Sequence, residues 1–182
     1  NPLVFSLAKP IEKWLLSFSK LARHLDRRTD PFAELPMSTE RKLLEGQVVL
    51  VGYGRVGRRI AQALTEQGIP FVIAEQNREI VEGLRKKGIA AVSGNAADPA
   101  VLVQAHIQNA SMLVIATPET IDFRKMSAAA STLQPSIEIV VRTHNEEEST
   151  LLRKDGIGTV FYGEEELAKG MTKHILDRFI QA

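Results

Sequence analysis

From residue 46 onward, short apolar runs alternate with segments in which apolar residues recur at helical spacing. The runs are rich in β-branched residues and cover residues 48–51, 71–74, 90–92, 112–116, 137–141 and 159–162. Nearly continuous apolar runs of this length are typical of strands that are covered on both faces, as in a parallel sheet. The pattern therefore predicts six strands.

The segments between the runs predict helices with recognisable ends. Residues 58–67 and 78–87 each carry an apolar stripe and stop at a glycine, as helices commonly do. Asp98 and Asn145 are expected to cap two further helices, and residues 164–181 predict a last one with an apolar stripe of its own. Strands that alternate with single helices predict an α/β fold, a Rossmann-like doubly wound parallel sheet of about six strands.

The first 28 residues follow a different pattern. Between Lys9 and Arg28, six basic residues and two acidic ones give a local charge excess of +4, and apolar residues recur at helical spacing. This predicts an amphipathic basic helix over residues 1–28, either an arm packed on its own domain or a membrane-surface, juxtamembrane segment. Residues 29–45 are polar and interrupted by prolines, which predicts a linker, and residues 46–182 are expected to form the folded domain.

Composition narrows the class of protein. A hydrophobic share of 44% with 25% charged residues is typical of a globular protein with a sizeable core. Because there is no cysteine, disulfide frameworks and thiolate zinc sites are excluded, and the four histidines show no ligand spacing, so no metal site is predicted. A net charge of +1 offers no general case for nucleic-acid binding. The chain opens without an initiator methionine, and we expect it to be a fragment of a longer protein.

A glycine motif stands between the first predicted strand and the first helix. Residues 52–57 read Gly-Tyr-Gly-Arg-Val-Gly, a G-x-G-x-x-G sequence. In such a motif Gly52 would make the tight turn, Gly54 would let a phosphate approach the backbone, and Gly57 would let the helix pack close to the strand. The amides at the helix start then face an anion, so the motif predicts a phosphate site.

An acidic residue ends the second predicted strand. Glu75 lies 23 residues after Gly52, where dinucleotide-binding folds place the carboxylate that accepts from the ribose hydroxyls. A carboxylate there repels a 2′-phosphate, which disfavours NADP relative to NAD or AMP. The alternative is a solvated charge at a strand end.

The ends of the remaining strands add further candidates. Small residues around Asn95 would let an adenine lie against the backbone, and Thr117 would touch the nucleotide or cap the following helix. Arg55 and Arg58 beside the motif, and Arg142 at the end of the fifth strand, are candidates for neutralising phosphate. His144 follows Arg142 but has no assignable nucleophile or paired carboxylate, so we predict a binding protein and not an enzyme.

Three segments together resemble a known family. Residues 49–57, 93–99 and 139–144 are similar to the TrkA-N or RCK-N domain, and in particular to the cytoplasmic domain of Kef-type monovalent cation:proton antiporters. The similarity covers roughly residues 46–181. It implies a domain that senses a nucleotide, forms a homodimer and regulates an attached transmembrane antiporter, for potassium, at the cytoplasmic face of the bacterial inner membrane.

The resemblance also implies roles for particular residues. Gly52, Tyr53, Gly54, Arg55 and Val56 would surround phosphate; Glu75 and Gln76 would contact the ribose; Asn95 and Ala96 the adenine; and Thr117 the edge of the pocket. This chain has Asn95 where the family usually carries an aspartate, which removes a charge near the base. The last helix resembles the family's crossover element, which packs on the partner subunit.

The implied ligand is an adenine nucleotide, AMP first and NAD, NADH or ATP as alternatives. Glutathione-gated relatives raise a small anionic effector as a further partner. Two other hypotheses remain at this level: an NAD-dependent oxidoreductase of Rossmann type, and a dimerisation module whose nucleotide site is vestigial.

Overall fold

Six strands form one parallel sheet in the computed structural model, which describes residues 31–36, 38–117 and 122–180. The strands are β1 (Val48–Val51), β2 (Phe71–Glu75), β3 (Ala91–Ser93), β4 (Met112–Ile115), β5 (Glu138–Thr143) and β6 (Thr159–Tyr162). Their order across the sheet is β3-β2-β1-β4-β5-β6, with every neighbouring pair parallel. The predicted fold class is confirmed. The strands β2 and β3 lie on one side of β1, and β4, β5 and β6 lie on the other, so the strand order reverses between β1 and β4. Sheets of this kind open a crevice at their carboxyl edge at this point.

Helices connect successive strands and cover both faces of the sheet. They are α1 (Arg55–Glu66), α2 (Arg78–Lys86), α3 (Pro99–Gln104), α4 (Phe123–Leu133), α5 (Glu146–Lys154) and α6 (Gly163–Ile180), with 3₁₀ turns at Arg41–Leu44 and Ile107–Asn109. The first helix starts three residues earlier than predicted, because the second half of the glycine motif is already helical. The predicted basic helix of residues 1–28 lies outside the described residues.

Side chains cap several of these helices. The Asp98 carboxylate accepts from the Ala100 amide at 2.9 Å and begins α3, and the Asn145 side chain accepts from the Glu148 amide at 3.1 Å and begins α5. Both predicted caps are confirmed. Asn77 caps α2 in the same way.

Two apolar layers hold the helices to the sheet. Alternate residues of β1 point to opposite sides, so that Val49 and Val51 join one layer while Val48 and Leu50 join the other. All four are buried, as are the central residues of β2 and β4. Burial on both faces explains why the strands appear in the sequence as continuous apolar runs.

The described part of the predicted linker is packed on the domain. The Phe32 side chain contacts the layer under α1 and α2, whereas Leu35 and Leu44 contact the opposite layer. Residues 31–36 therefore pass around the edge of the sheet at β3.

The last helix, α6, is exposed to solvent over most of its length. Every residue of α6 from Leu167 to Ile180 is exposed, and Phe179 keeps 77% of its surface accessible. These large apolar side chains are left largely uncovered by the described residues. Within the described ranges, no helix combines the length and apolar character needed to cross a membrane.

Candidate functional site

A cavity of about 570 Å³ opens at the carboxyl edge of the sheet, where the strand order reverses. Its volume is in the range of cavities that hold small molecules. Ten of the twelve predicted site residues line it: Gly52, Tyr53, Gly54, Arg55, Glu75, Gln76, Asn95, Ala96, Thr117 and Arg142. Residues from five different segments of the chain thus meet around one space.

The glycine motif forms the floor of the cavity. Gly52 has φ +90°, and a Cβ atom there would lie 2.6 Å from Thr117 Cγ2, so a side chain is excluded on both counts. A Cβ atom on Gly57 would overlap the carbonyl oxygen of Gly52. Gly54 is different, because a Cβ atom there would meet no protein atom within 4 Å. Close contacts therefore require glycine at positions 52 and 57, whereas the space beside Gly54 is open to the cavity.

The N-terminus of helix α1 lies at the glycine motif. Gly54 occupies the N-cap position and supplies no side chain to accept from the amides of the first turn. Because the first amides of a helix have no acceptor within the helix, they remain available to an anion. Arg58 lies over the Tyr53 ring at 5.5 Å, and its Nε donates to the Tyr53 carbonyl at 3.2 Å, which adds a positive charge beside the loop.

Glu75 joins β2 to the glycine loop. Its Oε2 accepts from the Tyr53 amide at 2.7 Å, and its Oε1 accepts from the Asn77 amide at 2.9 Å. A carboxylate has about four lone-pair sites, so two remain for the hydroxyls of a ligand. The bonds fix the carboxylate in place before any ligand arrives, a role that the spacing of Glu75 from Gly52 did not predict.

Asn95 and Asp122 form the opposite wall. Asn95 Oδ1 accepts from the Ala97 amide at 2.8 Å, which turns its Nδ2 toward Asp122 Oδ2, 3.5 Å away. Hydrogen bonds from Lys125 and then Asn95 hold the pKa of the Asp122 carboxyl below its usual value. The wall therefore presents an amide donor beside an ionised carboxylate at neutral pH.

Thr117 and Arg142 lie on the side of the cavity formed by β4 and β5. The Thr117 hydroxyl is buried and has no hydrogen-bond partner in the part of the chain that the structure describes. Helix α4 begins at Phe123, with Asp122 in the N-cap position, so Thr117 does not cap it. The half-buried Arg142 makes no ion pair with any described residue, which leaves its guanidinium available to an anion.

Two predicted residues stand apart from the cavity wall. Gly57 packs against the Gly52 carbonyl, and Val56 packs into the apolar layer under α1 and α2. That these twelve residues hold a nucleotide stays a prediction.

The cavity also contains residues that sequence reasoning missed. Asp122, Met126 and Ile80 line it, together with Asn77. The signal that could have found Asp122 is its place at the start of the helix after β4, since the carboxyl ends of neighbouring parallel strands meet at one edge. The apolar pair has no such signal, because Met126 and Ile80 fit the helical stripe of any core helix.

The polar groups of the cavity can hold a ligand by hydrogen bonds and charge. They are loop amides, arginines and carboxylates, and His144 is the one imidazole among the described lining residues. Across residues 31–36, 38–117 and 122–180, no group of three or more histidine, aspartate or glutamate side chains is placed to hold a metal ion.

Comparison with known proteins shows the family of the chain. The sequence model of the TrkA-N domain family matches residues 48–163. Over 172 residues, the chain is 32% identical to the putative cation/proton antiporter YbaL of Escherichia coli, covering 94% of this chain and 29% of that protein. The chain therefore spans about three tenths of the length of this curated relative.

Solved structures agree with the sequence match. The TrkA-N domain of the inner membrane protein YbaL from Escherichia coli superposes with a TM-score of 0.66 at 35% identity, covering 70% of this chain and 95% of that one. The C-terminal domain of a Kef protein from Shewanella denitrificans, in AMP-bound form, superposes with a TM-score of 0.61 at 21% identity, covering 73% and 80%. The second match shows the fold alone. By its matched domain and its similarity to YbaL, this chain belongs to the TrkA-N domain family.

Proposed function

We propose that this chain is a regulatory domain that binds an adenine nucleotide, with AMP as the first candidate, and controls an attached potassium or other monovalent cation:proton antiporter. The observation that carries the proposal is the convergence of the glycine loop, Glu75 and Asn95 on one cavity. The AMP-bound Kef domain shares this fold, and the YbaL relative is a longer antiporter protein. The domain would extend from residue 46 and lie at the cytoplasmic face of the bacterial inner membrane.

The parts of the cavity match the parts of such a nucleotide. The first-turn amides of α1, with Arg55 and Arg58, would hold the phosphate, since the guanidiniums are cationic and the free N–H groups at a helix start carry partial positive charge. The free lone pairs of Glu75 would accept from both ribose hydroxyls. The base would then lie beyond the ribose, against Ala96 and the donor and acceptor atoms of Asn95 and Asp122.

We expect Glu75 to set the preference for NAD over NADP. Its carboxylate repels a 2′-phosphate, so the wild-type chain should bind NAD at least about tenfold more tightly than NADP, and Glu75→Gln should reduce that ratio to near one. The ratio is measured by calorimetric titration of both dinucleotides into each variant. A loosened glycine loop would weaken the binding of NAD and NADP together. The ratio of the two affinities therefore reports the effect of the Glu75 charge alone. An unchanged ratio in Glu75→Gln would place the ribose elsewhere.

The exposed stripe of α6 supports a homodimer. Leu167, Met171, Ile175 and Phe179 recur every fourth residue and are all at least half exposed. A second copy of the chain offers the same stripe, and self-complementary contacts of this kind are the usual basis of twofold symmetry. We therefore propose that α6 packs on the partner subunit.

A charge on this stripe should dissociate the dimer. Met171→Glu with Ile175→Glu is expected to convert a dimer into a monomer, because burying the introduced carboxylates would cost several kcal/mol. Sedimentation velocity measures the change. Lys173→Glu is the matched control, since Lys173 lies on the opposite side of α6 in an exposed pair with Asp177 that contributes little. A wild-type chain that sediments as a monomer at high concentration refutes the proposed dimer.

A further inference from the structure

A segment of turns and bends, residues 31–36, is docked on α2 and the edge of β3, and we call it the strap. Two guanidinium groups contact the Phe32 ring, that of Arg78 at 5.1 Å and that of Arg85 at 5.0 Å from the ring centroid. Arg78 and Arg85 are seven residues apart, which places them on the same side of the helix. Contacts of this kind contribute most when the cation is partly removed from water, as it is for the half-buried Arg85.

Arg85 also binds the backbone of the strap. Its Nη1 donates to the Pro31 carbonyl at 3.0 Å, and its Nη2 donates to the carbonyls of Phe32, at 3.0 Å, and Glu34. Its Nε donates to the Ala91 carbonyl of β3 at 2.8 Å. The planar guanidinium of Arg85 thus joins the strap to the edge strand β3, and a lysine could not reproduce this arrangement.

The strap and β3 are joined directly as well. The Ser93 amide donates to the Phe32 carbonyl at 2.7 Å. Phe32 packs on one apolar layer and Leu35 on the opposite one, so the strap wraps the outer edge of the sheet. An edge strand that would otherwise expose unpaired backbone groups is covered in this way.

The residues that seat the strap adjoin the cavity. Ser93 is followed by Gly94, whose amide donates to the Glu75 carbonyl at 3.0 Å, and Gly94 lines the cavity. Arg78 follows Asn77, whose amide donates to the Glu75 carboxylate. The strap and the proposed ribose site therefore share one stretch of backbone at β2 and β3.

We propose that docking of the strap and binding of a ligand in the cavity are energetically coupled. The inference rests on the proposed nucleotide function of that cavity. A ligand held by Glu75 and Asn95 fixes the turn around Gly94, and this favours the position of Ser93 that the strap requires. By linkage, the docked strap raises the affinity for the ligand by the same factor. The strap thereby senses whether the cavity is occupied.

The test compares AMP affinity in variants that release the strap. Phe32→Ala and Arg85→Lys change residues outside the cavity wall, and each should weaken AMP binding at least about fivefold in the full chain, measured by calorimetry. Exchange of the Ser93 amide, followed by NMR, reports whether the strap is released and should become faster in both variants. Lys42→Ala is the matched control, because Lys42 is exposed, pairs with Glu40 and does not line the cavity.

The outcomes separate this inference from the proposed function. Weaker AMP binding together with faster Ser93 exchange supports coupling. AMP affinity within twofold of wild type, in the double variant Phe32→Ala with Arg85→Lys whose Ser93 exchange is faster, overturns the coupling and leaves the nucleotide function standing. A wild-type chain that binds no AMP overturns both.

Discussion

Replacing Gly57 by alanine is expected to destabilise the domain by about 3 kcal/mol, or to prevent folding. The added methyl group would overlap the carbonyl oxygen of Gly52, a backbone atom that cannot turn away like the end of a flexible side chain. Relief requires α1 to move away from β1, which opens the apolar layer that contains Ala61 and Leu50. Urea unfolding followed by circular dichroism measures the loss.

Gly83→Ala provides the control for this substitution. Gly83 lies inside α2, and a Cβ atom there would meet nothing within 4 Å. Alanine at that position should stabilise the protein by roughly 0.5–1 kcal/mol, since glycine is a poor residue inside a helix. If Gly57→Ala proved as stable as wild type, the close contact between the glycine loop and α1 would not exist in solution.

The second large effect is expected on binding and not on stability. Gly54→Asp should lower AMP affinity by about 100-fold while the protein stays folded. A side chain at Gly54 meets no protein atom, and φ is −77°, so the backbone accepts it. The new carboxylate would instead occupy the space above the first turn of α1, where the proposed phosphate lies. Calorimetric titration with AMP measures the affinity.

Gly54→Asn separates charge from size in this experiment. The two side chains have nearly the same shape, so asparagine reproduces the crowding without the negative charge. We expect Gly54→Asn to bind AMP more weakly than wild type but at least about fivefold more tightly than Gly54→Asp. If Gly54→Asp bound AMP as well as wild type, the phosphate would not lie at the glycine loop.

Much of the sheet was predictable because burial on both faces leaves a strong pattern. The strands β1 and β4 are apolar at every position, so neither the helical nor the alternating pattern competes with the prediction. The glycine motif was equally clear, since both Gly52 and Gly57 are required by contacts that only glycine allows. In these elements local sequence and tertiary environment impose the same requirement.

Other features depend on contacts between distant parts of the chain. The contact of Asp122 with Asn95 joins residues that lie 27 positions apart. Arg85 has the sequence context of a charge that faces the end of a helix dipole, yet it binds strap carbonyls 51 to 54 residues away. Residues 31–36 contain two prolines, as a linker does, and no periodicity indicates that Phe32 contacts two arginines. Pairings over such separations are set by the fold and leave no local pattern.

The central claim is that the cavity beside the glycine loop binds an adenine nucleotide. Calorimetric titration of AMP into the folded wild-type chain tests it most directly. We expect saturable binding of one AMP per chain at micromolar concentration, and a melting temperature that rises with AMP because the ligand binds only the folded state. A folded chain that releases no heat and keeps the same melting temperature up to millimolar AMP, ADP, ATP, NAD and NADH would contradict the claim and favour a dimerisation module with a vestigial site.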